Sequence, residues 1–223
     1  MGTLLAKILP LALGAAISPT FLGISVLTLA GSNHPQARAW ALAAGGMAVI
    51  TVFALAVVLF VHGALDSGGK HRSVAGAVLD LVAGILLVLL GVRAALREPK
   101  PRPQREPDAE DETQPARLGR FFGIGAGAMV ANLSTLVLVF PAAREIGASG
   151  LGAPQEALAL AIVLAIVSIP VVGPPLAYTV APGAGARAMA SLNVWLLDHR
   201  RGVAMALCFG FGAYLVIKGA TAL

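Results

Sequence analysis

Ala15-Ala16-Ile17-Ser18-Pro19-Thr20-Phe21-Leu22-Gly23 lies in the middle of the first long apolar run of the chain. A proline inside a helix removes one backbone donor and crowds the preceding turn, so Pro19 predicts a kink or opening there. The carbonyl of Ala15 loses the N–H it would otherwise accept. In a membrane that carbonyl needs another partner, and Ser18 and Thr20 flank the break with hydroxyls. A fainter version follows in the fourth apolar run, as Ala131-Asn132-Leu133-Ser134-Thr135. Two polar interruptions at matching places in two halves point to a transporter site between repeats.

The composition fits that reading. The chain has 223 residues, 57% hydrophobic and only 12% charged, about half the charge of a typical soluble domain. Several runs exceed the roughly 18 apolar residues that mark a spanning helix. The first run continues past the length of a signal peptide, so it is expected to stay as a span. The net charge of +5 sits in loops without interleaved aromatics, which argues against a nucleic-acid partner. A single cysteine, Cys208, excludes an internal disulfide and a CxxC site. The four histidines, His34, His62, His71 and His199, have no paired spacing, so no metal site or other cofactor is expected. Nothing points to an enzyme.

The fold class expected is all-α: a polytopic membrane protein with six transmembrane helices in a 3+3 inverted repeat. Spans are predicted near 4–29, 40–61, 74–94, 121–141, 156–180 and 202–223. Residues 97–117 carry five of the 14 prolines and mixed charge, and read as a cytoplasmic linker without a core. They separate a first repeat at 1–96 from a second at 118–223. Residues 186–199 read as an interfacial amphipathic helix, anchored by Trp195. The series Gly119, Gly123, Gly127 and Ala131 predicts close approach of a neighbouring helix. Eleven of the 16 Lys and Arg fall on the side of the loops after spans one, three and five, which the positive-inside rule makes cytoplasmic. Both termini are then outside a bacterial plasma membrane.

The candidate substrate-binding residues are Ser18, Pro19, Thr20, Asn132, Ser134 and Thr135, expected to line a polar cavity between spans one and four. Asp80, the acid placed inside a span, is the candidate coupling residue, because intramembrane carboxylates are costly and mark function. Pro170, Pro174 and Pro175 are expected to break span five and act as a hinge.

The Ser18-Pro19 break, the stretch from Asp80 to Gly91, and the ending Leu192-Asn193-Val194-Trp195-Leu196-Leu197-Asp198-His199 before the last span carry a resemblance. With them the chain resembles the GAP family of actinobacteria, the Sap-like proteins of the LysE exporter superfamily. The resemblance implies a LysE-like fold and movement of glycolipids or peptidoglycolipids toward the envelope. The superfamily has an Asn-Pro signature in spans one and four. Here Ser18 stands at the first Asn and Leu133 at the second Pro, so the second break is expected to be the weaker. The function expected is export or flipping of an amphiphilic envelope lipid: a glycolipid, a peptidoglycolipid or a polyprenyl-linked lipid. A small-ion or amino-acid exporter and a non-transporting scaffold for lipid export remain as alternatives. The partners expected are the bilayer and the lipid itself, with a homodimer and lipid-synthesis or export machinery left open.

Overall fold

The computed structural model describes residues 1–29, 31, 34–66, 85 and 118–181, and scattered positions between 183 and 220, all of the latter helical. Asp80, most of the third predicted span and the linker at 97–117 lie outside the described residues, as does most of the predicted interfacial helix.

The described residues form helices, with no strand among them. We label them α1 (Gly2–Ala16), α2 (Pro19–Leu29), α3 (Pro35–Asp66), α4 (Leu118–Ala131), α5 (Leu133–Gly147) and α6 (Ala153–Val180). The order repeats: a bent pair and then a long unbroken helix, twice. Pro35 opens α3, where a missing N–H costs nothing and the fixed φ suits a first turn. Gly152 precedes α6 and Glu156 stands in its first turn, an acid at the positive end of the helix dipole. α3 and α6 are each long and apolar enough to cross a membrane, and each bent pair is too if it counts as one span. That gives two to four candidate spans among the described residues.

The core is apolar and shared by all these helices, with Ile8, Leu11, Phe21, Leu42, Leu138 and Val163 fully buried. Large apolar side chains also cover the outside, including Leu27, Val52, Phe60, Ile169 and Val180. Apolar surface on both sides of a helix is the pattern of a lipid solvent.

α3 packs most extensively on α4, and the contact is backbone to backbone. A Cβ at Gly45 would strike the Phe122 carbonyl, and one at Gly125 would strike the Leu42 carbonyl. The register differs from the expected one. A Cβ at Gly119, Gly123 or Gly127 meets nothing among the described residues. Gly125 and Gly45 are the small residues in contact, because the buried face of α4 runs through Gly125 and Met129.

Span five also departs from expectation. α6 runs unbroken from Ala153 to Val180 with Pro170, Pro174 and Pro175 inside it, all three buried. Their rings pack into the core, which supports the helix where its backbone bonds are missing. The second break is not the weaker: α4 and α5 meet at 72°, against 48° for α1 and α2. Asn132 leaves the helical region without help from proline, at φ −85° and ψ 65°, and a tertiary contact fixes its side chain.

Candidate functional site

At the first break the backbone tightens before it turns. Ile17, the C-cap of α1, sits at φ −84° and ψ 87°, outside the helical region. Ile17 N donates to Gly14 O at 3.2 Å and Ser18 N to Ala16 O at 3.1 Å, while Leu22 N bonds to Ser18 O at 3.2 Å and so starts α2. This leaves the Ala15 carbonyl, which Pro19 cannot serve. Thr135 Oγ1 donates to it at 3.3 Å from the far half of the chain. Ala15 and Thr135 are both buried, so the freed acceptor is answered by protein.

The second break meets the first. Asn132 Nδ2 donates to Ser18 Oγ at 2.6 Å, across 114 residues of sequence. Ser134 Oγ donates to Asn132 Oδ1 at 2.9 Å. At the backbone, Asn132 N returns to Met129 O at 3.0 Å and Thr135 N bonds to Asn132 O at 3.1 Å. Asn132 stands at the N-cap position of α5 but makes no side-chain cap bond. Its amide serves the tertiary contact instead.

The structure therefore brings Ser18, Asn132, Ser134 and Thr135 together. Pro19 and Thr20 open α2, but their side chains lie outside the described residues. Ser18 is only 3% exposed and Thr135 2%, each hydroxyl buried against its own partner, Asn132 for Ser18 and the Ala15 carbonyl for Thr135. Asn132 and Ser134 are half-buried, and the neighbouring Val130 and Leu133 are exposed. Among the described residues the network consists of hydroxyls, one amide and a backbone carbonyl, with no formal charge. Each of its groups both donates and accepts, or exchanges one partner for another without ionising.

A second polar cluster, which no local sequence pattern marks, lies at the far end of α3. His62 Nε2 is 3.0 Å from Glu156 Oε2, and Ser149 Oγ donates to Glu156 Oε1 at 3.2 Å. Glu156 is buried. Each residue alone reads as an ordinary helix-end group; their pairing depends on the antiparallel packing of α3 and α6. Lys7 Nζ and Glu145 Oε2 form an ion pair at 3.4 Å. At the opposite end of α3, Trp40 Nε1 donates to Thr179 Oγ1 at 3.3 Å and Arg38 lies over the Phe121 ring at 5.0 Å. Near the C-terminus Trp195 stacks on His199 at 4.9 Å.

No curated protein and no solved structure matches the chain. A protein-family comparison does: the family described as Sap, sulfolipid-1-addressing protein, matches residues 8–221. That match covers both helix breaks, both long helices and the last apolar segment, so the chain belongs to the sulfolipid-1-addressing protein family.

Proposed function

We propose that the chain exports or flips an amphiphilic envelope lipid, through a site formed where its two helix breaks meet. The observation that carries this reading is the Asn132–Ser18 hydrogen bond at 2.6 Å, which joins the two interruptions across 114 residues. A scaffold has no use for two broken helices brought together. The network is neutral, which suits the hydroxyls of a glycolipid, peptidoglycolipid or polyprenyl-linked headgroup better than a bare cation, which needs several oxygen ligands. The exposed Val130 and Leu133 beside Asn132 give an acyl chain an apolar flank while its headgroup binds. The family's name speaks of lipid addressing, which fits.

In this reading the described helices are the first two spans of each of two inverted repeats, six spans in all, in a bacterial plasma membrane with both termini outside. The Ser18–Asn132 contact closes the site. A headgroup enters by replacing it, hydroxyl for hydroxyl, and interhelical hydrogen bonds of about 0.6 kcal/mol make that exchange nearly balanced. Pro170, Pro174 and Pro175 remove backbone donors from α6, so bending costs least there. Asp80 couples transport to protons.

A native mass spectrum of the purified protein tests the lipid reading. A bound lipid is expected, and it should be lost in Asn132→Ala; protein that carries no lipid in either form rejects it. Orientation is tested with single cysteines at Gly68 and Ala109 in a Cys208→Ala background. Position 68 should react with an impermeant reagent on intact cells and position 109 should not. Asp80→Asn is expected to insert normally, since the amide is cheaper to bury than the charge, and to lower export strongly. Full export in that variant reduces Asp80 to a structural acid.

A further inference from the structure

Thr28, Ser168 and Thr179 use their hydroxyls alike. Thr28 Oγ1 donates to Ile24 O at 2.8 Å, Ser168 Oγ to Ala165 O at 2.7 Å and Thr179 Oγ1 to Pro175 O at 2.7 Å. A hydroxyl on a helix satisfies itself this way, on a carbonyl one turn back. Ser25 in α2 does not. It is 0% exposed, and among the described residues its Oγ has no hydrogen-bond partner. A buried hydroxyl of this kind has given up water and received nothing in exchange. Such groups are rare enough in folded proteins that each calls for an explanation.

The position of Ser25 supplies one. Ser18, Phe21 and Ser25 are all buried and stand at i, i+3 and i+7, which is one face of a helix. Ser18, at the start of α2, accepts from Asn132 in the central contact. Ser25 lies seven residues further on, about 10 Å along the axis. α2 leads from the break toward the start of α3 at Pro35, so Ser25 is on the Trp40–Thr179 side of that contact. The face it shares is turned to α3, where the Phe21 ring occupies the space a Cβ on Gly46 would need. α2 packs on α6 as well. Counted from Ser18 and Asn132, the residue of α5 that matches Ser25 is Val139, also 0% exposed. An apolar side chain fills that place in the second half, so packing alone does not ask for a hydroxyl at position 25.

We propose that Ser25 is a headgroup-binding residue, a second hydrogen-bonding point for a hydroxyl-bearing lipid headgroup between the Ser18–Asn132 contact and the Trp40–Thr179 end of the helices. This rests on the lipid-transport reading and deepens it. The headgroup approaches along this face of α2 as α2 parts from α3 and α6. Ser25 Oγ then donates to a headgroup oxygen or accepts from a headgroup hydroxyl, and gains the partner it lacks when the site is empty. Val139 offers no such bond at the matching point. The two halves of the path are therefore unequal, with the extra polar contact on the Trp40 side alone.

Phosphatidylcholine nanodiscs with and without a monoglucosyl diacylglycerol test this. Ser25→Cys and Ser134→Cys are made singly in a Cys208→Ala background, and their labelling by methyl methanethiosulfonate is followed by mass spectrometry. With the glycolipid at about twice its dissociation constant, labelling at both positions is expected to slow about threefold. The same diacylglycerol without its sugar should slow neither. Ser25→Ala, added to the Ser134→Cys protein, should weaken the protection at position 134. In detergent without glycolipid, Ser25→Ala should melt above the parent by roughly 2–4 °C, because it removes a buried hydroxyl that has no partner. Protection at 134 but not at 25 overturns the proposal and leaves the lipid reading standing. Protection at neither position rejects the lipid reading, and the role of Ser25 with it. Ser25→Ala protein that melts below the parent gives the hydroxyl a structural partner and overturns the proposal on a readout that needs no lipid.

Discussion

One methyl group at Gly125 is expected to prevent α4 from seating on α3. An ideal Cβ there meets the Leu42 carbonyl oxygen, carbonyl carbon and Cα. These are backbone atoms, so no rotamer change relieves the clash and the helices must separate. The reciprocal position is as tight, with Gly45 facing the Phe122 carbonyl and the Ala126 amide nitrogen. In lipid there is no hydrophobic drive between helices, so close packing of small residues supplies the association, together with weak Cα–H···O contacts that need this proximity. Overpacking a fitted contact costs about 1–3 kcal/mol, occasionally more. Gly125→Ala should therefore melt well below the parent in detergent, or fail to purify as a single species. Gly123→Ala, two positions away, should melt with the parent, since its Cβ meets nothing among the described residues. Equal melting of the two variants would overturn the backbone contact.

That pair of glycines shows where sequence reading ran out. The every-fourth series at Gly119, Gly123 and Gly127 is visible in the sequence, and so is the expectation of a close helix pair. Which face of α4 turns inward is not, because Gly125 and Ala126 interleave the series and small residues lie all round the helix. The central contact was more legible. Pro19 dictates that the Ala15 carbonyl lacks its helical donor, and the structure gives it Thr135 Oγ1 at 3.3 Å. Proline is not the cause of the second break, where Leu133 opens α5. Asn132 stands at that break and donates its side-chain amide to Ser18, a contact that only the assembled halves reveal. The prolines of α6 lie buried inside one continuous helix, so a proline in the sequence does not by itself end a helix when its ring faces the core. Glu156 and His62 stand at ends of different helices, and no local pattern links them.

Asn132→Ala is expected to lower lipid export by roughly tenfold, equivalent to about 1.4 kcal/mol of lost headgroup binding, while the protein stays folded. The amide is the hub of the network: it donates to Ser18 and accepts from Ser134. Removing it leaves Ser18, 3% exposed, without that donor, yet the bend in α1–α2 survives because Thr135 still answers the Ala15 carbonyl. The substitution therefore separates binding from geometry. Stability should fall little, since interhelical hydrogen bonds in membranes average about 0.6 kcal/mol and reach about 1.7. A double-mutant cycle with Ser18→Ala should return a coupling of that size in unfolding and a larger one in export, because bound headgroup and protein share the same groups. Asn132→Asp is a different lesion: a charge at mid-span costs on the order of 2.5–3.5 kcal/mol, so lost insertion is expected there. Thr135→Val removes the donor to Ala15 and should disturb the bend itself, lowering stability and export together. Unchanged export in a folded Asn132→Ala protein would remove the amide from the site, and with it the case that the meeting of the two breaks is where the lipid headgroup binds.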